Sequence, residues 1–340
     1  MPANKAEFVH VQEAAHALVG MPANVEPLAK GGRNSRVYHV NCGAGEFALK
    51  QYPCGTDDLR DRLATEVGAL KLMEQHGFAA VPRVVRVDRA RGFALLSWID
   101  GAAVAEITDS DIDAAVAFLD RIHALRAAPT AKAQPLAAEA CLSGAEIERQ
   151  IGERLEHLLC RSGERDLLLF LDRSFAPAFE RARTTAKVKA DAAGLDFAGE
   201  LQPQWQSLAA SDFGFHNVIR RKDGSLAFVD FEYFGWDDPV KLVADVLLHP
   251  GEPLPAPQRR RFRQSAEHLY RDDRLFAIRL DAYLPLFGLR WVLILLNEFI
   301  PNRWRRRVSA GVTEGWAEAK ATQLSHAINF LAALPEKVEG

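Results

Sequence analysis

The spacing of apolar residues changes about a hundred residues into the chain. Before that point they come in short alternating runs separated by glycine-rich turns; beyond it they recur at three- and four-residue spacing. Strands are predicted at residues 25–30, 36–41 and 46–52, joined by Gly31-Gly32-Arg33-Asn34-Ser35 and Cys42-Gly43-Ala44-Gly45. Two more are predicted at 84–87 and 93–98, divided by residues 88–92. Between the two groups, Leu59, Leu63, Val67, Leu70 and Met73 trace one face of a helix over 57–76, which Gly77 ends. A modest amphipathic helix over 5–19 precedes them.

From Asp109 the pattern is helical. Thr108 or Asp109 caps a helix with Ile112, Ala115, Phe118, Leu119 and Ile122 on its apolar face. Helices are predicted at 144–161, 165–187, from Pro239 to about 249, and at 256–271, 274–299 and 310–334, with connections at 127–143 and 186–206. The expected class is α+β, with strands early and helices late.

Residues 208–232 interrupt the helices. Asp212 and Asn217 lie on a glycine-containing loop. Val218-Ile219 and Leu226-Ala227-Phe228-Val229 flank Lys222-Asp223-Gly224-Ser225, whose Asp-Gly pair predicts a hairpin turn. Closing that hairpin brings Asn217 beside Asp230 and lets Asp212 look across at them. An amide oxygen and a carboxylate held together suit Mg²⁺. A further carboxylate off the metal suits a base that positions a hydroxyl, and together they are equipment for phosphoryl transfer. The same residues also occur in an ordinary hairpin with solvated acids.

Asp212-x-x-x-x-Asn217, the hairpin and Val229-Asp230-Phe231-Glu232 resemble the catalytic and metal-binding loops of the aminoglycoside phosphotransferase/choline kinase family. Ala210-Ser211 stand where those relatives usually carry His-Gly or His-Asn. The resemblance implies a bilobal protein-kinase-like fold. A small lobe over residues 1–98 would hold a five-stranded antiparallel sheet with one helix, and a larger, mostly helical lobe would span 99–340. It also implies an ATP- or GTP-dependent kinase of a small hydroxylated molecule, such as an aminoglycoside, choline, a sugar or an amino alcohol.

On that resemblance, Lys50 binds donor phosphates, Glu66 holds Lys50, Asp212 takes the acceptor proton, and Asn217 and Asp230 hold Mg²⁺. Trp98 and Ile99 fall in the hinge that holds the purine edge through its backbone. The Gly31-Gly32 turn and the Ser35 hydroxyl would cover the phosphates, though glycine there also suits a plain hairpin turn. His216 reads as a structural loop histidine, and Asp245 as a brace of the catalytic loop or a surface acid. Glu232, Trp236, Asp237 and Asp238 would suit a cationic acceptor; the preferred reading makes Asp237-Asp238-Pro239 a helix cap. Two other readings are a nucleotide-binding pseudokinase without turnover and a plain helical interaction domain.

Composition narrows the partners. The 340 residues are 48% hydrophobic and 26% charged, with formal net charge −3, which argues against a nucleic-acid partner. Arginine clusters at 259–261 and 303–307 read as solvated helix faces. Residues 284–300 are apolar but broken by Arg290, Asn297 and Glu298, which fits a buried helix and no membrane partner. Cys42, Cys54, Cys141 and Cys160 show no Cys-x-x-Cys pair and no His partner at zinc spacing, and no secretory leader is evident, so reduced thiols in a cytoplasmic setting are expected.

Overall fold

The computed structural model describes residues 5–28, 35–53, 60–161, 163–309 and 314–339. The Gly31-Gly32 turn, Cys54 and the expected start of the helix at 57 lie outside the described residues. The chain opens with α1 (Lys5–Val19), then β1 (Asn24–Pro27), β2 (Arg36–Cys42), β3 (Gly45–Gln51), α2 (Arg62–Gln75), β4 (Val84–Asp88) and β5 (Phe93–Ser97). The five strands form one antiparallel sheet in the order β1-β2-β3-β5-β4.

Strand alternation gives this sheet two different faces. Leu49, Phe93 and Leu95 pack with Val11, Ala14 and Leu18 of α1. Ala94 and Leu96 join the α2 side, with Leu63, Val67 and Leu70. The N-terminal helix therefore belongs to the sheet layer, which carries two helices where one was expected. Lys50, one residue from Leu49, necessarily points toward α2. Asp61 caps α2 by accepting from the Ala64 N–H at 2.8 Å.

After β5 the chain leaves that sheet. β6 (Gly101–Ala103) pairs instead with β8 (Val218–Arg221), which pairs with β9 (Leu226–Phe228). The predicted hairpin thus gains a third strand. Gly101 permits it, because a Cβ there would sit 2.4 Å from the Arg220 carbonyl oxygen. A separate ribbon pairs β7 (Ser207–Ala209) with β10 (Gly235–Asp237), clamping both ends of the segment between them.

The helices are α3 (Asp109–Ala124), α4 (Gly144–Arg161), α5 (Arg165–Phe170), α6 (Ala176–Ala192), α7 (Pro239–Leu248), α8 (Ala256–Leu269), α9 (Phe276–Leu295), α10 (Pro301–Ser309) and α11 (Trp316–Glu339). Thr108 and Asp111 form a reciprocal capping box at the start of α3. Asp238 caps α7 ahead of Pro239, bearing out the cap reading. The segment predicted as one helix from 165 to 187 is α5 and α6 joined by a π-turn at Leu171–Phe175. The helix expected at 310–334 begins at Trp316 and runs to Glu339, and α10 was not foreseen.

The apolar helix Phe276–Phe299 is long enough to cross a bilayer, but 67% of its most apolar window is buried within the fold. Its 276–295 portion packs against α4, α6, α7 and α11. The arginine clusters sit on helix surfaces with partners: Arg261 meets Asp113 at 2.7 Å, and Arg307 pairs with Glu298.

Candidate active site

Two clusters face one another across the 208–232 segment. The first gathers around Lys50. Its ammonium donates to Glu66 Oε2 at 2.6 Å and Asp230 Oδ1 at 2.7 Å, with Glu232 Oε2 at 3.6 Å. Lys50 and Glu66 are buried, at 5% and 1% exposure. Glu66 also accepts from the Tyr52 hydroxyl at 2.8 Å and the Phe231 N–H at 3.3 Å.

Tyr52 lies two residues after Lys50, on the side the chain presents to α2. Arg62 lies one helical turn before Glu66 and donates to Glu232 and to the Tyr233 hydroxyl. Ser35 donates to Glu232 Oε2 at 2.5 Å. The described geometry therefore places Glu232 with the Lys50 cluster, its carboxylate engaged by Ser35 and Arg62 instead of held free for an acceptor. Ser35 is buried at 4% exposure by the same carboxylate.

The cluster holds more negative than positive charge. Glu66, Asp230 and Glu232 offer oxygens within 4.8 Å of one another, against Lys50 and Arg62. Burial alone would lower the Lys50 pKa, but Asp230, Glu66 and Glu232 outweigh it and hold the ammonium well above its ordinary value. Burial raises the Glu66 carboxyl, and Asp230 and Glu232 add to this against the pull of Lys50. A site with surplus carboxylate oxygen and one half-buried member, Asp230 at 22% side-chain exposure, fits a hard divalent cation.

Asp230 has φ +68°, a left-handed conformation for a non-glycine residue. The Val229 N–H donates to the Asn217 carbonyl at 3.0 Å, so the ladder ends with Asn217 and Asp230 as near neighbours. The Asn217 amide donates to the Asp212 carbonyl at 2.9 Å. Its side-chain oxygen accepts no hydrogen bond among the described residues and is left for another partner.

The second cluster surrounds Asp212. Its loop is pinned by Phe213 and Phe215, both buried. Phe213 stacks on Phe228 at 5.4 Å, and Phe118 of α3 stacks on Phe228 at 4.1 Å; such pairs contribute about 0.5–1.5 kcal/mol each. Asp212 Oδ1 lies 3.3 Å from His216 Nε2, and the His216 ring stacks on His249 at 4.3 Å. His249 in turn meets Trp291 edge-on at 5.2 Å. Burial would raise the Asp212 carboxyl, but hydrogen bonding and charge from His216 prevail and lower it. The same contact raises His216 against the effect of its burial.

Asp212, His216 and His249 could also be read as a metal-ligand trio. The imidazoles are only 12° from parallel, so an ion lying between the stacked rings would be out of both ring planes, where neither nitrogen lone pair points. Three buried polar atoms here have no hydrogen-bond partner among the described residues: Ser211 Oγ, His216 Nδ1 and Trp291 Nε1.

Trp98 and Ile99 fall between β5 and β6. Trp98 packs on His39 at 4.2 Å, and among the described residues no hydrogen bond engages the backbone of Trp98 or Ile99. Asp245 is buried rather than a surface acid; it receives Lys241 at 3.0 Å and lies 3.7 Å from Arg290. Sequence reasoning passed over Tyr52, Arg62, His249 and Trp291. The first two carried a usable signal, since they repeat the period of Lys50 and Glu66. His249 and Trp291 are distant in sequence and carried none.

The sequence profile of the phosphotransferase enzyme family matches residues 24–280. No curated protein matches the chain in sequence. Among solved structures, choline kinase LicA from Streptococcus pneumoniae superposes with TM-score 0.59 at 17% identity, covering 97% of this chain and 100% of its own. An ethanolamine kinase from Plasmodium vivax gives 0.60 at 12% identity, covering 96% and 89%. The aminoglycoside phosphotransferase APH(4)-Ia gives 0.55 at 13%, covering 96% and 99%. These similarities establish the kinase-like fold.

Proposed function

The chain belongs to the phosphotransferase enzyme family and is a small-molecule kinase, and we propose that it moves the γ-phosphate of ATP or GTP onto a hydroxyl of a small acceptor. The observation that carries this reading is Lys50, held between Glu66 of α2 and Asp230 of the segment after the hairpin. That contact ties the sheet layer to the 208–232 segment, and a buried cation there supports its reading as the group that meets donor phosphates.

Lys50 binds those phosphates, and Glu66 orients it. Ser35 and the backbone of Trp98 and Ile99 complete the nucleotide contacts. Asn217 and Asp230 hold Mg²⁺, which neutralises phosphate charge when bound. Asp212 orients the acceptor hydroxyl and receives its proton, with His216 beside it. Related structures support the donor class: one holds LicA with AMP, another a mutant of APH(4)-Ia with ADP and hygromycin B. The acceptor is an alcohol-bearing molecule of the amino-alcohol, choline, sugar or aminoglycoside kind. A division into lobes at residues 98 and 99 goes with this reading, as does a cytoplasmic enzyme without a nucleic-acid or membrane partner.

The test is the thermal midpoint of the purified protein with ATP or GTP, each with and without Mg²⁺. A Mg²⁺-dependent rise with one nucleotide names the donor, and ADP or GDP release over an acceptor panel then names the acceptor class. No rise with either nucleotide at several millimolar would overturn the site. A rise without release on any acceptor would turn the reading to a nucleotide-binding protein without turnover.

A further inference from the structure

A cavity of about 530 Å³ opens between the α5–α6 arm, α9 and α11, on the face of α9 that carries Pro285 and Leu289. Trp291, which meets His249 beside the catalytic loop, lies two residues further on. Two residues span about 200° on a helix, so the cavity faces away from the acceptor side. Its volume falls in the range of small-molecule pockets, roughly 300–1,000 Å³.

Three features argue that the cavity is built into the fold. Each of its three helical walls carries a proline: Pro177, Pro285 and Pro335. A helical proline lacks the N–H for the carbonyl four residues back and bends its helix. Pro177 cannot serve the Arg173 carbonyl, and there the chain takes its π-turn over Leu171–Phe175. Pro285 frees the Asp281 carbonyl, which Lys189 caps at 3.2 Å. Gly288 lets α11 approach α9 closely, since a Cβ there would lie 2.2 Å from Leu334 Cδ1. The two helices are thus pinned at one point, and the cavity lies alongside it.

The lining is apolar over most of its extent, with Leu331, Leu334 and the 45%-exposed Ile328 contributed by α11. Its polar groups are Ser174 and two arginines, Arg173 and Arg181, all from the α5–α6 arm. Neither arginine has an acidic partner among the described residues, although Arg183 close by pairs with Glu148 at 3.0 Å and Glu180 at 2.6 Å. An apolar trough with unpaired cations at one wall is complementary to a molecule with an apolar tail and an anionic head. We propose that this cavity binds a single-chain fatty acid, its carboxylate on Arg173 and Arg181 and its acyl chain along the α9–α11 trough.

The experiment is isothermal titration of the full-length protein with monomeric decanoate, with decyltrimethylammonium as the charge-reversed probe. Wild type is expected to bind decanoate and to ignore the cation. Arg173→Glu/Arg181→Glu is expected to weaken decanoate binding about tenfold, and Ala182→Trp, which fills the trough, to abolish it. A second measurement guards against misfolding: each variant must melt cooperatively within a few degrees of wild type, and Ala178→Trp replaces any that does not. Equal binding of both probes, binding unchanged in the arginine variant, or no binding at millimolar decanoate would each overturn the proposal. So would self-association that Ala182→Trp abolishes, which would mean a second copy covers the trough. Binding only to anionic vesicles, with none to monomeric decanoate, would assign the face to a membrane surface instead.

Discussion

Lys50 has carboxylates at 2.6, 2.7 and 3.6 Å and is 5% exposed. Asp212, the proposed base, has one side-chain partner at 3.3 Å, and its side chain is 36% exposed. On the first side, partners come from β3, α2 and the segment after the hairpin, and they pin one another. On the second, Ser211 Oγ, His216 Nδ1 and Trp291 Nε1 are buried without hydrogen-bond partners among the described residues. The difference is chemically reasonable. Donor phosphates are the same for every acceptor, so their site can be assembled in advance. On the proposed reading, the Asp212 side leaves polar atoms without partners among the described residues for an acceptor to meet.

Replacing one residue on each side would separate the two. Asp212→Asn keeps the shape of the loop and removes the proton acceptor. Turnover should fall about a thousandfold, the scale of a lost general base. Folding stability and the Mg²⁺-dependent nucleotide shift should stay near wild type. If nucleotide binding vanished with turnover, the loop would belong to the donor side as well. Lys50→Met makes the opposite pattern. It strands Glu66 and Asp230 without their cation, and breaking a buried pair this way costs about 3–5 kcal/mol. Denaturant unfolding should register that loss together with loss of the nucleotide shift. A stable Lys50→Met protein that still binds nucleotide would erase the contrast.

Beneath both sides, Asp111 of the α3 capping box holds Arg220 of β8 at 2.7 and 2.9 Å. Hydrogen bonding from Arg220, then from Thr108, outweighs burial and brings its carboxyl to about 2. A folded-state pKa below the ordinary 3.8 means that ionised Asp111 favours the fold. That contribution is full above about pH 4 and is lost as pH falls toward 2. Asp111→Asn should cost about 2 kcal/mol at neutral pH and only about 0.4 kcal/mol at pH 2, where half of the folded-state carboxyls are still ionised. Urea midpoints measured across that range check it; a constant difference would mean that packing, not charge, holds the strand.

What could be read in advance followed the same divide. Lys50, Glu66, Asp230 and the hairpin were legible because each sits in a local pattern, a strand period, a helix period or an Asp-Gly turn. Strand alternation even put Lys50 on the face turned from Leu49. The partners that complete the cluster were harder to see. Glu232 was visible as an acid, but its approach to Ser35, 197 residues away in sequence, is a property of the assembled fold. β6 escaped because three residues carry no period, and its pairing depends on a glycine touching Arg220. The acceptor side was the least legible. His249 read as no more than the end of a helix, and Trp291 as one more apolar residue of α9.

His249 offers a smaller and more selective test. Its ring supports that of His216 and touches Trp291. His249→Ala should raise the acceptor KM about tenfold, roughly 1.4 kcal/mol, and leave the nucleotide KM unchanged. Equal changes in both constants would make this cluster part of the scaffold rather than of the acceptor surface.

Ser211 carries the finest distinction. It stands directly before Asp212 with φ +50°, in the left-handed region. The Asp212 N–H turns back to the Ala210 carbonyl at 2.6 Å across it. Glycine or asparagine takes that conformation more readily, which is the physical content of finding serine where related kinases usually carry one of those two. A side chain there costs about 1–2 kcal/mol, and glycine gives part of that back in unfolded-state entropy. Ser211→Gly should therefore stabilise the fold by about 0.5–1 kcal/mol, read as a higher urea midpoint at unchanged slope. If Ser211 Oγ, buried without a hydrogen-bond partner among the described residues, meets the acceptor, the same variant should bind it more weakly while folding more tightly. Stability and acceptor KM rising together would tie the strain to acceptor binding; stability rising alone would make Ser211 a tolerated misfit of the loop.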